Sequence, residues 1–535
     1  MLDKLFSKFK IEYVFITLMT IVMIGVVDYF GKTRPEPTHD SRGNEINVAD
    51  LTVEEVEKYS GTWFTMLASD NDSICFDINA KQFDGDSTFY FILPEDSDLS
   101  HIIFYVRDTY DQFCQRIEGD FSNGPIQVGS ESVGIKITRF PLLQMQISQD
   151  SPSFSTICDD GLGETIGFGD LAVRTTNDFA NENACYRYIN GSNSKDDISK
   201  AFTLKPRGNA TWAYPKHPFS IVFDKPVSLL GMKKHKGYNL IANAKDKSLL
   251  KNAVIIDMAK ELGVKYQCEY RFVTLFANGQ YQGVYMLTSK NRVGKNEINL
   301  KPGDYLVNWG GTDLKQPIFY ESKMEWLPIE TENPYFDIIW PEEDDNIDEK
   351  EDFLIGFVRA MEDVDSSDLF DYIDLNSFLR YYWIQEFSMN MDMDYRSVYM
   401  YFSSSDRKLH MEPVWDYDMT FGVDETRFDV DLSNPVGWKA RNYSWLNYLY
   451  NHEVFKTESE KYYNEYFRDA MIHARDSFES QIAMMAEDGQ LDLNLWGQDT
   501  YGAIQYDTDS YEEWCEEILR FIDDRILFID GEMSS

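Results

Sequence analysis

Short stretches of alternating apolar and polar residues fill the region that follows residue 70. Four of them are separated by turns rich in Asp, Gly, Ser and Pro, and they cover residues 74–78, 88–93, 102–106 and 133–137. Because side chains alternate across a strand, the pattern predicts short β-strands, and their regular spacing is typical of a small β-sandwich. We therefore expect a β-sandwich-like module over residues 51–142.

From about residue 143 onward the pattern becomes mixed. Residues 220–223 form a β-type apolar run, and apolar side chains then recur every fourth residue from Leu250 to Leu262. That second period predicts a helix, which Asp246 to Ser248 would cap and Gly263 would end. Two further apolar runs flank Asn278 and Gly279, the sequence pair typical of a tight β-hairpin.

The remainder of the chain is mainly helical in pattern. Helices are predicted over residues 353–361, 376–387 with Asp374 at the start, about 454–485, and 511–528. Among them lies a β-prone run, 398–402, followed by the turn-forming residues 403–406 and a second approach through 409–414. The sequence thus predicts an α+β domain over residues 143–535 that contains one hairpin within its helical portion.

The amino-terminal residues have a different pattern. Residues 11–30 are apolar, with no charge from Tyr13 to Val27, and Lys4, Lys8 and Lys10 precede them. This length just suffices to cross a bilayer, and lysines ahead of a span keep the amino terminus cytoplasmic. We expect a single-pass signal-anchor within residues 1–31, a tether over 32–50, and the rest of the chain outside the cell membrane. A buried core helix or a cleaved signal peptide is the alternative.

The charge is large and unevenly placed. A net charge of -41 argues against nucleic acid as a partner, and 43% hydrophobic residues argue against a disordered acidic chain. Residues 200–301, however, contain eighteen Lys and Arg against six Asp and Glu. This basic segment either faces an anion such as phosphate or balances an acidic neighbour.

The six cysteines show no CxxC spacing, so neither a zinc site nor a thioredoxin-like pair is indicated. In an oxidising exterior, Cys75 with Cys114 and Cys158 with Cys185 are candidate disulfides. Buried free thiols are the alternative.

Two aspartate pairs flank the predicted hairpin. Asp392 and Asp394 precede it, Asp416 and Asp418 follow it, and strand-like spacing of two points each pair to one side. Four carboxylates held together repel one another unless a hard divalent cation or a reacting group lies between them. Paired carboxylates near aromatic residues also describe glycosidase sites, but the basic segment would have no role there.

A series of blocks resembles the CotH kinase family, the spore-coat-protein-H-like proteins with an atypical protein-kinase fold. The blocks are residues 205–209, 216–219, 238–243, 246–252, 278–285, 390–392 and 413–422. In this order they cover about residues 143 to 530. The resemblance implies an atypical, two-lobed kinase-like fold, preceded here by the β-sandwich and the transmembrane helix.

The resemblance also implies phosphoryl transfer from ATP to protein hydroxyls, with roles for particular residues. Asp392 matches the catalytic aspartate, which would orient the acceptor hydroxyl and take its proton. Asp416 matches the magnesium-binding aspartate, and Asp418 either shares the Mg²⁺ (or Mn²⁺) or bonds the following turn. Asp394 is either a third metal ligand or a loop residue.

Two cations complete the implied site. Lys216 matches the position expected to hold the phosphates, and Arg207 beside Gly208 would add a second contact; an ordinary surface cation is the alternative for both. Three positions depart from the family pattern, since Ser397 stands where many relatives have Asn, Ser289 where they often have Glu, and Val414 where Pro usually precedes the Trp.

The sequence therefore predicts a membrane-anchored, extracytoplasmic kinase that uses ATP and Mg²⁺ to phosphorylate Ser or Thr of cell-envelope or surface proteins. A catalytically impaired scaffold with the same fold is the alternative.

Overall fold

The protein has a mixed α+β fold with several sheets. The computed structural model describes residues 63–107, 113–147, 167–174, 185–188, 202–208, 211, 214–310, 315–318, 320, 335–342, 347–393, 397–427, 429–497 and 504–534. The strands of the amino-terminal part are β1 Trp63–Met66, β2 Ile78–Asn79, β3 Lys81–Gln82, β4 Thr88–Pro94, β5 Ile102–Arg107, β6 Phe113–Gly119, β7 Ile126–Val128 and β8 Glu131–Thr138.

The later strands are β9 Leu142–Ile147, β10 Gly167–Arg174, β11 Cys185–Tyr188, β12 Phe202–Pro206, β13 Phe219–Val227, β14 His235–Ile241, β15 Tyr270–Ala277, β16 Gln280–Ser289, β17 Tyr305–Trp309, β18 Pro317–Ile318, β19 Phe336–Trp340, β20 Val398–Ser403, β21 Lys408–His410, β22 Thr426–Arg427 and β23 Val430–Asp431. The helices are α1 Lys251–Glu261, α2 Ile347–Glu362, α3 Leu369–Tyr372, α4 Leu375–Ser388, α5 Ser444–Asn451, α6 Glu453–Tyr462, α7 Arg468–Trp496 and α8 Tyr511–Met533.

Strands β1 to β8 form two four-stranded sheets with a common core. Their orders are β2-β1-β5-β6 and β3-β4-β8-β7, and one hydrophobic cluster joins Phe64 and Phe104 of the first sheet to Phe91 and Val133 of the second. The same cluster includes Leu491 of α7, so these sheets pack against the remainder of the molecule. The division of the chain at residue 142 stays a prediction, and β9 begins there.

The largest sheet closes on itself. Its order is β11-β10-β12-β13-β14-β16-β15-β9, and β9 also pairs with β10. Closure turns one face of the sheet inward, where Ile221, Leu240, Val273 and Tyr285 form a buried cluster. The basic segment of the sequence thus builds most of a closed barrel.

A second, five-stranded sheet and the helices form the other half of the structure. The sheet has the order β18-β19-β17-β20-β21, and α4 and α7 contribute to the same large apolar core through Trp383 and Met471. Trp309 of β17 stacks on Trp445 of α5, with ring centroids 4.6 Å apart. Helix α1 connects the halves, since its Val254 and Met258 belong to this core.

Most of the predicted elements are confirmed. Asn278 and Gly279 both have positive φ, as a two-residue hairpin turn between β15 and β16 requires. Asp374 caps α4 by accepting a hydrogen bond from the Ser377 amide at 2.9 Å.

Two local predictions were wrong in detail, and a third holds in part. Residues 74–78 form no strand except at Ile78, where β2 begins. Helix α1 begins at Lys251, and the Asp246 carboxylate accepts the Lys251 amide at 2.9 Å as the predicted cap would, although Leu250 directly before the helix has no side-chain cap. The long helix predicted over 454–485 is interrupted by a π-helical turn at Tyr463–Phe467.

Within the described ranges, no helix is long and apolar enough to cross a bilayer. The predicted signal-anchor and tether, residues 1–50, lie outside the described residues, so this finding leaves that prediction untested.

Candidate functional site

A polar cavity of about 300 Å³ is lined by residues from both halves of the structure. From the barrel side come Arg207, Gly208 and the segment from Ile241 to Lys245, which follows β14. From the other side come Asn308 and Gly310, at the end of β17, and the loops on both sides of the β20–β21 hairpin. The residues of this site are far apart in the sequence. They come together because the barrel packs against the second sheet.

Asp392 reaches the cavity because α4 ends abruptly just before it. Met389 adopts a left-handed conformation with φ 54° at the end of the helix, which turns the chain toward the cavity. The Asn390 side chain then accepts a hydrogen bond from the Asp392 amide at 3.0 Å and donates one to the Asp416 carbonyl at 3.3 Å. Asn390 therefore ties together the two loops that carry the aspartates.

Asp416 and Asp418 lie on the loop after β21, and both line the cavity. Asp416 has φ 69°, so the pair is not on a strand, and the spacing argument from strand geometry was wrong in its reason. The Asp416 carboxylate is exposed and accepts a hydrogen bond from the Ser397 hydroxyl at 3.0 Å. Asp418 is only 7% exposed.

Two residues of helix α1 form hydrogen bonds with the loop that carries Asp416 and Asp418. The side-chain oxygen of Asn252 accepts a hydrogen bond from the Tyr417 amide at 2.7 Å, and its amide group donates to Asn243 at 3.0 Å. One residue earlier, the Lys251 ammonium donates to the Thr420 carbonyl at 2.7 Å. Two adjacent helix residues thus hold the loop on both sides of Asp418.

The electrostatics of the cavity favour a bound cation. Burial, together with the charges of Asp416 and Asp392, raises the pKa of Asp418 to about 7, while Lys245 opposes the rise. Burial is the first cause of this rise, and the neighbouring carboxylates add to it. Mg²⁺ or Mn²⁺ would add positive charge beside these carboxylates, and carboxylate and hydroxyl oxygens are the ligand type that both ions accept.

Arg207 and Lys245 are the cations that face these carboxylates. Burial lowers the pKa of Arg207, and the charges of Asp416 and Asp418 oppose that effect; its guanidinium lies 5.6 Å from the Trp415 ring centre. Burial also disfavours charge on Lys245, but Asp418, Asp392 and Asp416 outweigh it and raise its pKa. Both groups thus line the same cavity as the carboxylates and interact with them.

Sequence reasoning identified Arg207 but missed Lys245. The available indication was its position, two residues after the family-like block that ends at Asn243, in the basic segment. Gly208 also matters locally, since it has φ 79° and a Cβ there would lie 2.1 Å from the Thr211 hydroxyl. Only glycine fits beside Arg207 at this wall of the cavity.

The structure does not bring Lys216, the predicted phosphate contact, into the cavity. Its side chain is 3% exposed and its ammonium donates to the Asp492 carboxylate and to the Val284 carbonyl, each at 2.7 Å. Asp492 also accepts the Val284 amide at 2.8 Å. Neighbouring Pro218 lines the cavity, but Lys216 points to α7 instead.

The metal site remains a prediction in which two of the three named ligands lie together. Asp416 and Asp418 share the cavity wall, whereas Asp394 lies outside the described residues. Across the described ranges, no group of three or more His, Cys, Asp and Glu side chains is arranged to hold a metal ion. Any third ligand must therefore be a different oxygen donor or a residue outside those ranges.

Comparison with protein-family models gives one family. No curated protein matches the chain. The family model described as CotH kinase protein matches residues 204–529, more than half of the chain, and this range contains every residue of the cavity described above. The chain therefore belongs to the CotH kinase protein family.

Proposed function

We propose that the chain is a membrane-anchored, extracytoplasmic protein kinase that transfers the γ-phosphoryl group of ATP to Ser or Thr of cell-envelope or surface proteins, with Mg²⁺ or Mn²⁺. One observation carries the proposal: three aspartates, Asp392, Asp416 and Asp418, line the same cavity as the cations Arg207 and Lys245. Membership of a kinase family makes phosphoryl transfer the chemistry to test first.

Each group has a role in this reaction. Bound ATP and its cation supply the phosphoryl group and the charge that neutralises the triphosphate. Asp392 orients the acceptor hydroxyl and accepts its proton, and Asp416 and Asp418 provide carboxylate oxygens for the cation. Arg207 and Lys245 face the phosphate oxygens, whose negative charge they stabilise during transfer.

The shape of the molecule supports a two-lobed, kinase-like arrangement. The closed barrel forms one wall of the cavity, and the second sheet with its helices forms the other. A nucleotide bound between two such bodies is shielded from water on both sides, which suppresses hydrolysis of the phosphoryl donor.

The proposed location rests on two features. Lysines precede an apolar run of sufficient length at residues 11–30. Cys75 is disulfide-bonded, and disulfides persist mainly in oxidising compartments. Its partner lies outside the described side chains, whereas Cys268 and Cys515 are buried free thiols. Both features support an anchored chain whose body lies outside the cytoplasm.

Transfer of labelled phosphate tests the proposal. The purified chain is incubated with γ-labelled ATP and Mg²⁺ or Mn²⁺, and phosphoserine and phosphothreonine are measured on the chain and on an added protein acceptor. We expect Asp392→Asn to lower incorporation at least 100-fold, as loss of a general base does. Asp224→Asn, an exposed substitution on β13 outside the cavity, is the matched control. Equal incorporation by Asp392→Asn and wild type would remove Asp392 from the mechanism.

A catalytically impaired scaffold is the second candidate, and Ser397 favours it because a hydroxyl is a weaker metal ligand than the amide many relatives carry there. A ligand that binds only the native state stabilises it by about 2.7 kcal/mol at 100 times its dissociation constant. An Mg²⁺-dependent rise in melting temperature with ATP, without phosphate transfer, would identify a nucleotide-binding scaffold. Absence of both would remove nucleotide from the function.

A further inference from the structure

One polar side chain in the cavity has a buried atom without a hydrogen-bond partner in the part of the chain that the structure describes. Asn308 lies on β17, between β19 and β20, and its side chain is 8% exposed. Its Oδ1 is buried and has no hydrogen-bond partner among the described residues. Since buried acceptors in native proteins almost always have partners, this atom indicates a donor or a cation that binds there.

The position of Asn308 on the sheet directs it to the cavity. Side chains alternate along a strand, and Val307 and Trp309, on both sides of Asn308, belong to the apolar core. Asn308 and Gly310 are the residues of this segment that line the cavity. The alternation of side chains along β17 therefore places the Asn308 amide on the face opposite Val307 and Trp309.

The neighbouring strand connects Asn308 to the aspartate loop. Asn308 pairs with Tyr399 of β20, and both Tyr399 and Ser397, two residues earlier, line the cavity. Such a diagonal neighbour lies about 7–8 Å away between backbone positions, within reach of polar side chains. The Ser397 hydroxyl in turn bonds the Asp416 carboxylate at 3.0 Å.

The chemistry of the surroundings selects a cation as the partner of Oδ1. The cavity gathers three carboxylates, which hold cations, and an amide oxygen is a hard, neutral ligand that adds to such a set without further repulsion. Mg²⁺ also keeps several bound waters, each of which can donate to an amide oxygen.

We propose that the amide oxygen of Asn308 belongs to the divalent-cation site, binding the ion or a water on it together with Asp416 and Asp418. The inference rests on the proposed function in one respect, that the aspartates hold a cation. It adds an oxygen donor from strand β17, which lies about 110 residues before those aspartates in the sequence.

Binding of Mn²⁺ to the full-length protein, without nucleotide, tests the assignment. The signal of unbound Mn²⁺ is followed by electron paramagnetic resonance for wild type, Asn308→Ala, Asn308→Asp and Asp416→Asn. Asn299→Ala, an exposed asparagine outside the cavity, is the control. We expect Asn308→Ala to weaken binding about 10-fold or more, the usual effect of losing a group around a metal. Asn308→Asp keeps an oxygen at the same place and should bind Mn²⁺ at least as tightly as wild type.

The variants separate the possible failures. Asn308→Asp is nearly isosteric, so it reports on the site even where Asn308→Ala does not fold. Wild-type affinity in Asn308→Ala, or equal weakening in Asn308→Ala and Asn308→Asp, overturns the role of Asn308. If Asp416→Asn still lowers the affinity in that case, the cation site of the proposed function stands. Absence of Mn²⁺ binding by wild type overturns both.

Discussion

The buried pair of Lys216 and Asp492 provides the sharpest test of whether a charged residue of this protein stabilises the fold or takes part in the proposed reaction. Lys216→Met keeps the length of the side chain and removes its ammonium. The Asp492 carboxylate, whose side chain is 5% exposed, then retains only the Val284 amide as a partner. Two unit charges 2.7 Å apart attract by about 6 kcal/mol at an effective dielectric constant of 20.

The desolvation of both groups offsets part of that attraction. When one charge is removed, however, the other stays buried without its partner, and its own desolvation cost is no longer compensated. Removing one partner of a buried pair costs about 3–5 kcal/mol of unfolding free energy. The double variant Lys216→Met/Asp492→Asn keeps an acceptor for the Val284 amide and leaves no charge, so it should recover at least half of the loss.

Urea unfolding followed by tryptophan fluorescence measures the stability, and titration with a fluorescent ATP analogue and Mg²⁺ measures nucleotide affinity. Lys245→Met is the matched control, since Lys245 faces the cavity aspartates. We expect Lys216→Met to lose stability with an unchanged dissociation constant for nucleotide, and Lys245→Met to raise that constant at least 10-fold. A Lys216→Met protein of full stability that no longer binds nucleotide would refute the reasoning and return Lys216 to the phosphate site.

Three further predictions follow from buried contacts. Burial raises the pKa of Asp488 to about 6 from an ordinary value of 3.8, so the native state binds a proton on this carboxylate more tightly than the unfolded state does. The protein therefore loses folding stability as the pH rises from the ordinary pKa through the raised one. Asp488→Asn, which keeps an acceptor for the Arg139 amide, should therefore gain about 2–3 kcal/mol at pH 7.5 and almost nothing at pH 4 in urea titrations. Asn252→Ala leaves the buried Tyr417 amide without its acceptor; it should cost about 1–3 kcal/mol and weaken Mn²⁺ binding, whereas wild-type affinity would show that the aspartate loop holds its shape unaided. Gly283→Ala places a Cβ 2.3 Å from the Asp492 carboxylate at φ 89° and should destabilise the protein by more than about 1 kcal/mol; an unchanged urea midpoint would contradict the contact.

The closed barrel contains most of the basic segment of this strongly acidic protein. Its strands and turns carry the excess of Lys and Arg, and two of these cations, Arg207 and Lys245, end at the cavity. Others serve the fold: Lys216 and Lys251 are buried and bond the Val284 and Thr420 carbonyls. A positive local charge therefore did not by itself distinguish anion-binding residues from structural ones.

The same ambiguity applies to buried charge elsewhere. Arg525 and Glu386 are both fully buried and paired, and Arg525 also donates to the carbonyls of Pro435 and Gly437. This pair joins α8 to α4 and to the loop after β23. Nothing in the sequence indicates a chemical role for either residue. Partners and burial, rather than charge alone, decide which ionic groups are structural.

Local sequence determined several elements of this protein, because the preferences that form turns and helix caps act between neighbouring residues. The positive-φ preference of Asn278 and Gly279 set the hairpin, and the side chain of Asp374 set the start of α4. The order of its blocks identified the family, and the position of Asp392, Asp416 and Asp418 around one hairpin indicated which carboxylates would meet.

Tertiary structure decided the partners, because contacts between distant segments leave no periodic trace in the chain. Lys216 meets a carboxylate 276 residues away, which no local pattern could show. Lys245 and Asn308 look like ordinary polar residues of a loop and a strand until the barrel and the second sheet pack together. Only then does Lys245 lie in the field of three aspartates, and only then is the Asn308 side-chain oxygen buried without a partner among the described residues.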